Sequence, residues 1–101
     1  MNKRESSIER YVGSAVKCLG GLWLKFTSPG NAGVPDRIVI LPNGSIFFVE
    51  LKAEDGELTP QQLRQIERIE KRGAAVYVIK GKTQAQRFVQ DLRNRGVNHE
   101  L

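Results

Sequence analysis

Two apolar, β-type runs flanking Pro42-Asn43-Gly44-Ser45 restrict the folding of this chain more than any other feature. Arg37-Ile38-Val39-Ile40-Leu41 precedes the turn and Ile46-Phe47-Phe48-Val49-Glu50-Leu51-Lys52 follows it, which predicts a β-hairpin. Side chains alternate along a strand, so Glu50 and Lys52 share one face with Ile46 and Phe48, while Phe47, Val49 and Leu51 share the other. If the loop has three residues with Gly44 left-handed, position 41 pairs with 45 and Asp36 falls opposite Glu50. A two-residue turn would put Asp36 on the wrong face.

The chain has 101 residues, read as a single domain over residues 1–101 with a core at the small end of self-sufficiency, which oligomerisation would supplement. A hydrophobic share of 40% and a charged share of 27% suit a soluble globular protein. No apolar run reaches the ~20 residues of a membrane span. The start, Met1-Asn2-Lys3-Arg4-Glu5, leads into no apolar segment of the secretory type. Cys18 is alone, so an intramolecular disulfide and a cysteine zinc cluster are both excluded, and a reducing cytoplasm is the simplest setting. Lysine and arginine number 16 against 11 acidic residues, giving +5 and a pI near 9.7, which favours an anionic partner such as nucleic acid.

Around the hairpin, the chain reads as helices and strands in alternation. Ser6-Ser7 is expected to open a helix with Ile8, Val12, Ala15, Val16 and Leu19 inward, stopped by Gly20-Gly21. Cys18 on that helix reads as a small buried side chain. Leu22-Trp23-Leu24-Lys25-Phe26-Thr27 predicts a strand in which Trp23 and Phe26 pack into the core, and Ser28-Pro29-Gly30-Asn31-Ala32-Gly33 a mobile loop. Thr59-Pro60 opens a second helix, burying Leu63, Ile66 and Ile69 and stopping at Gly73. Ala74-Ala75-Val76-Tyr77-Val78-Ile79 predicts a strand covered on both faces. Thr83 is expected to cap a last helix with Ala85, Phe88, Val89 and Leu92 inward, ended by Gly96 and followed by a fraying tail that holds an isolated His99. The class is therefore α/β, in the order α-β-β-β-α-β-α, with a mixed central sheet flanked by helices.

The residues able to carry chemistry sit at one end of the hairpin. Asp36 and Glu50 offer carboxylates to a hard cation such as Mg2+ or Mn2+, the carbonyl of Leu51 lies between the reactive side chains of its strand, and Lys52 can prepare a water molecule. A shared ion requires carboxyl oxygens roughly 4–5 Å apart. Pro35-Asp36 followed by Glu50-Leu51-Lys52 resembles the signature of the PD-(D/E)xK nuclease superfamily, with its restriction-endonuclease-like core. Lys25-Phe26-Thr27-Ser28-Pro29-Gly30, Gly33-Val34-Pro35-Asp36-Arg37, Phe48-Val49-Glu50-Leu51-Lys52-Ala53 and Leu58-Thr59-Pro60-Gln61-Gln62 are similar to the VRR-NUC family of viral replication and repair nucleases.

That resemblance implies catalytic roles for Asp36, Glu50, Lys52 and Gln62, and a metal shell of Asp36, Glu50, the Leu51 carbonyl and Glu9 from the first helix. It implies a Mg2+- or Mn2+-dependent endodeoxyribonuclease, selective for branched or otherwise structured DNA in the manner of a Holliday-junction resolvase. A homodimer in the cytoplasm of a bacterial or phage-infected cell goes with it. The first helix with Tyr11, or the strand from Leu22 to Phe26, would form the dimer face.

Each residue has a plainer reading. Asp36 can be a turn residue, and Glu50 with Lys52 a solvated ladder pair. Ser6-Ser7-Ile8-Glu9, Thr59-Pro60-Gln61-Gln62 and Thr83-Gln84-Ala85-Gln86 all fit a capping box. The alternative function is a non-catalytic nucleic-acid-binding module on the same fold, but carboxylates that repel phosphate serve such a module poorly.

Overall fold

In a computed structural model of the chain, which describes residues 2–99 and the side chains of residues 2–95, the hairpin turn closes as a three-residue loop. Leu41 donates its N–H to the Ser45 carbonyl (2.9 Å), Gly44 donates to the Leu41 carbonyl (2.8 Å), and Gly44 has φ +87°. The seven elements follow the expected order: α1 (Lys3–Cys18), β1 (Leu22–Lys25), β2 (Arg37–Ile40), β3 (Ile46–Lys52), α2 (Pro60–Glu70), β4 (Val76–Lys80) and α3 (Gly81–His99). The strands form one mixed sheet in the order β1-β2-β3-β4, antiparallel as far as β3 and parallel between β3 and β4. Among the described residues, no helix is long and apolar enough to cross a membrane.

The period-2 pattern divides the sheet into two faces. Val39, Leu41, Phe47, Val49, Leu51 and Ile79 join Ile8, Val12, Ala15 and Val16 of α1 and Ala85, Val89 and Leu92 of α3 in one core. Phe47, Tyr77 and Phe88 add a cluster of edge-to-face and tilted rings at 5.1–6.0 Å. Trp23 packs against this core as expected, lying on Gly13 of α1 so closely that a Cβ there would meet the indole Nε1 at 2.6 Å. The second face carries Glu50 and Lys52, and α2 covers only part of it.

That partial cover explains several departures from expectation. Leu63 is exposed, and of the β4 run only Ile79 is buried, because β4 is an edge strand rather than an interior one. Leu22 and Leu24 of β1 are likewise exposed. Cys18 is exposed at the end of α1.

Helix starts also move. Asn2 caps α1, its side chain accepting from the Glu5 N–H (2.9 Å), so Ser6 and Glu9 form no capping box. Gln84 rather than Thr83 serves the start of α3, accepting from the Lys80 N–H (2.8 Å). At the other end α3 runs through Gly96 to His99, since glycine permits a left-handed stop without imposing one. The side chain of His99, and the rest of the expected tail, lie outside the described residues.

The loop between β1 and β2 is pinned, contrary to what its composition suggests. Asn31 holds Ser28 through its backbone N–H (3.0 Å) and side chain (2.9 Å), and Gln65 of α2 donates to the Ala32 carbonyl (3.2 Å). Gly33, at φ +92°, seats directly on the start of α2, where a Cβ would meet the Gln61 carbonyl carbon at 2.7 Å and the Gln62 nitrogen at 2.9 Å. Gly33→Ala is therefore expected to destabilise the protein by about 1–3 kcal/mol through backbone strain and displacement of α2. Urea unfolding of the purified variant checks this.

Candidate active site

The register places Asp36 where the sequence requires it. Arg37 pairs with Val49 and Ile38 with Phe48, so one step before β2 Asp36 stands across from Glu50. The Leu41 to Ser45 bond makes odd-numbered positions the hydrogen-bonded pairs, and Asp36 and Glu50 fall in the closer, non-hydrogen-bonded class. The two carboxyls stand close enough that the charge of Asp36 raises the Glu50 carboxyl. The next odd pair is Pro35 with Leu51. Proline has no N–H, so Leu51's carbonyl finds no donor opposite it, while Leu51's own N–H turns to Asp36 Oδ2 (2.8 Å).

Glu50 occupies an interior strand and is 2% exposed. Its Oε2 accepts from Gln62 Nε2 (3.2 Å), and its Oε1 is buried without a hydrogen-bond partner. Burial, and then the charge of Asp36, push the Glu50 carboxyl up to about 8, against the pull of Lys52. Asp36 is raised too, by burial first and by Glu9 and Glu5, with the Leu51 N–H and Lys52 opposing. Lys52 lies on the same face and is felt by both carboxyls.

Gln62 serves two masters. Its Oε1 accepts from the Thr59 N–H (2.9 Å) while its own N–H donates to Thr59 Oγ1 (3.1 Å), completing the capping box of α2, and its amide nitrogen reaches Glu50. Cap and site coincide in one side chain.

The charge of Glu9 reaches Asp36, ahead of that of Glu5, while its own carboxylate is paired. It accepts from Arg37 Nε (2.9 Å) in a half-buried ion pair, with the guanidinium 5.3 Å from the centre of the Trp23 ring. Arg37 is thus held between Glu9 and Trp23. Among the described residues no three His, Cys, Asp or Glu side chains converge as a metal cluster. Sequence reasoning passed over Glu5, whose charge reaches both Asp36 and Glu50 from the first turn of α1. Its spacing of four residues from Glu9 on one helix face was the signal available.

The donor set suits a hard divalent cation. Asp36, Glu50 Oε1 and the Leu51 carbonyl are oxygen donors with capacity left over, and a small number of protein ligands leaves room for the waters that Mg2+ retains.

The chain is similar to known proteins over most of its length. The family model described as VRR-NUC domain matches residues 3–83. A protein of Acyrthosiphon pisum secondary endosymbiont phage 1, named "Putative nuclease p44", is 51% identical over 76 residues, which is 75% of this chain and 82% of the relative. A solved structure described as a VRR_NUC domain superposes with a TM-score of 0.80 at 37% identity, covering 88% of this chain and 97% of its own.

The raised carboxyls set a pH dependence. Between the ordinary glutamate value of 4.5 and about 8 the folded, metal-free protein holds a proton on Glu50 that the unfolded chain has released. Stability therefore falls as pH rises through this window, by up to about 1.4 kcal/mol per pH unit. Thermal melts in EDTA should show the decline, and Glu50→Gln should flatten it.

Proposed function

The chain belongs to the VRR-NUC domain family, and on that premise we propose that it is a divalent-metal-dependent endonuclease that hydrolyses phosphodiester bonds of structured DNA. The observation that carries this reading is the buried Glu50 with an unpartnered Oε1, beside a second carboxyl and a lysine. A buried carboxylate kept for structure alone is ordinarily satisfied on both oxygens.

Asp36, Glu50 and the Leu51 carbonyl would hold the ion, Mg2+ or Mn2+. When bound, such an ion neutralises charge on the phosphoryl oxygens and makes a coordinated water more acidic. Lys52 orients the attacking water and stabilises charge developing on phosphate. Gln62 is a positioning residue, fixing Oε2 of Glu50 and leaving Oε1 available as a ligand. The acid of α1 that the family resemblance assigns is Glu9, whose charge reaches Asp36 while it pairs with Arg37, and Glu5, felt by both carboxyls, adds to it. The net charge of +5 supports DNA as the anionic partner. A pure binding module on this fold would have no use for a buried, unpaired carboxylate.

Cleaving two equivalent phosphates of a branched junction calls for a two-fold pair of chains. β1 is the edge that offers itself, with Leu22 52% and Leu24 42% exposed, and Ile46 (60%) lies on the same face. The cytoplasm of a bacterial or phage-infected cell is the proposed setting, consistent with the lone thiol and the phage relative.

Incubation of plasmid and four-way-junction DNA with Mg2+, Mn2+ or EDTA tests the activity. Asp36→Asn, Glu50→Gln and Lys52→Met should each lose cleavage on the order of 10²-fold or more while still binding DNA, and Gln62→Ala should lose less. Near-normal cleavage by folded Asp36→Asn or Glu50→Gln protein would refute the metal site. Sedimentation velocity should show a dimer at micromolar concentration that Leu24→Arg converts to monomer.

A further inference from the structure

A cleft of about 380 Å³ opens between the start of α1, the start of α3 and the residues that follow β3, outside the set of side chains around Glu50. The buried Ile8 and Ala85 form an apolar floor, Tyr11 stands as a wall at 42% exposure, Arg4 and Lys82 occupy the rim, and Glu54 faces in from the β3 side. Gly81 lies against it, since a Cβ there would lie 3.2 Å from the Glu54 Cβ. Among the described residues, the side chains of Tyr11, Glu54 and Lys82 enter no hydrogen bond or ion pair. Arg4 pairs with Asp55 (2.9 Å), but both side chains are about two-thirds exposed, and such a pair yields readily to a stronger anion.

These features fit the parts of one ligand. An aromatic face and an apolar floor suit a nucleobase, a carboxylate accepts from the amino or ring N–H groups of a base, and two cations suit a phosphate. We propose that this cleft binds an unpaired nucleotide of the DNA substrate, with its base against Tyr11 and its phosphate at Arg4 and Lys82. The proposal rests on the nuclease reading, because the chain itself ties the cleft to the reacting centre. Glu54 follows Lys52, the end of β3, by two residues, Gly81 follows β4 directly, and Arg4 adjoins Glu5. The protein thereby selects DNA with an unpaired nucleotide beside the cut, as a flap, gap or open junction provides.

Fluorescence anisotropy in EDTA, where nothing is cleaved, compares a blunt duplex with the same duplex carrying a short single-stranded flap that contains 2-aminopurine. Tyr11→Ala and Lys82→Glu should each weaken binding of the flapped duplex about 10-fold and leave the blunt duplex within about twofold, with Tyr11→Phe like wild type. The quenching of 2-aminopurine by wild-type protein should disappear in Tyr11→Ala, a signature that a merely structural tyrosine would not give. Unchanged affinity and unchanged quenching in Tyr11→Ala would overturn the cleft assignment while leaving the nuclease reading intact. A free deoxymononucleotide binding wild type as tightly as the flapped duplex would overturn it in favour of a small-molecule site. Failure of wild-type protein to bind either DNA would overturn the nuclease reading itself.

Discussion

The alternation of hydrogen-bonded pairs along the β2–β3 hairpin is the constraint from which the rest of the site follows. Because Leu41 bonds Ser45, every odd pair is hydrogen-bonded and every even pair brings side chains close. Asp36 and Glu50 are an even pair, and Pro35 and Leu51 the odd pair beside them. One choice of turn thus approximates two carboxyls and leaves a carbonyl without a donor, since proline cannot supply one. A slip of one residue would reverse the faces and place Glu50 among the apolar side chains of the helix-covered core.

The sheet then uses its two faces for opposite purposes. The odd face, against α1 and α3, is a continuous apolar core with matched rings. The even face buries two carboxyls that are both raised, so ionising both in the absence of a cation costs stability. The stability of the fold is supplied by one side and its chemistry by the other, and the interior strand β3 carries both in alternate residues.

Much of this was legible in the residues themselves. Strong local signals survived: Pro-Asn-Gly for the turn, Thr59-Pro60 with Gln62 for the start of α2, and the period-2 pattern of β3. Signals that needed a partner's position did not. Ser6 and Thr83 look like caps, yet Asn2 and Gln84 take the role, because several polar residues near a helix start compete and only the tertiary setting chooses. Glu9 and Glu5 stand one turn apart on α1 and both charges reach Asp36, but the spacing does not show that Arg37, from β2, pairs with Glu9. Leu63 reads as core from its helical spacing, but spacing says nothing of how far a helix covers a sheet.

The double engagement of Gln62 couples secondary structure to the state of the reacting centre. One end of this side chain closes the first turn of α2, and the other holds Glu50. Anything that changes the charge on Glu50 alters the strength of that hold, and with it the fraying equilibrium of the helix start. Reciprocally, each opening of the first turn releases Glu50. Amide hydrogen exchange at Gln62, whose N–H is bonded to Thr59, thus becomes a built-in gauge of the carboxyl it helps to hold.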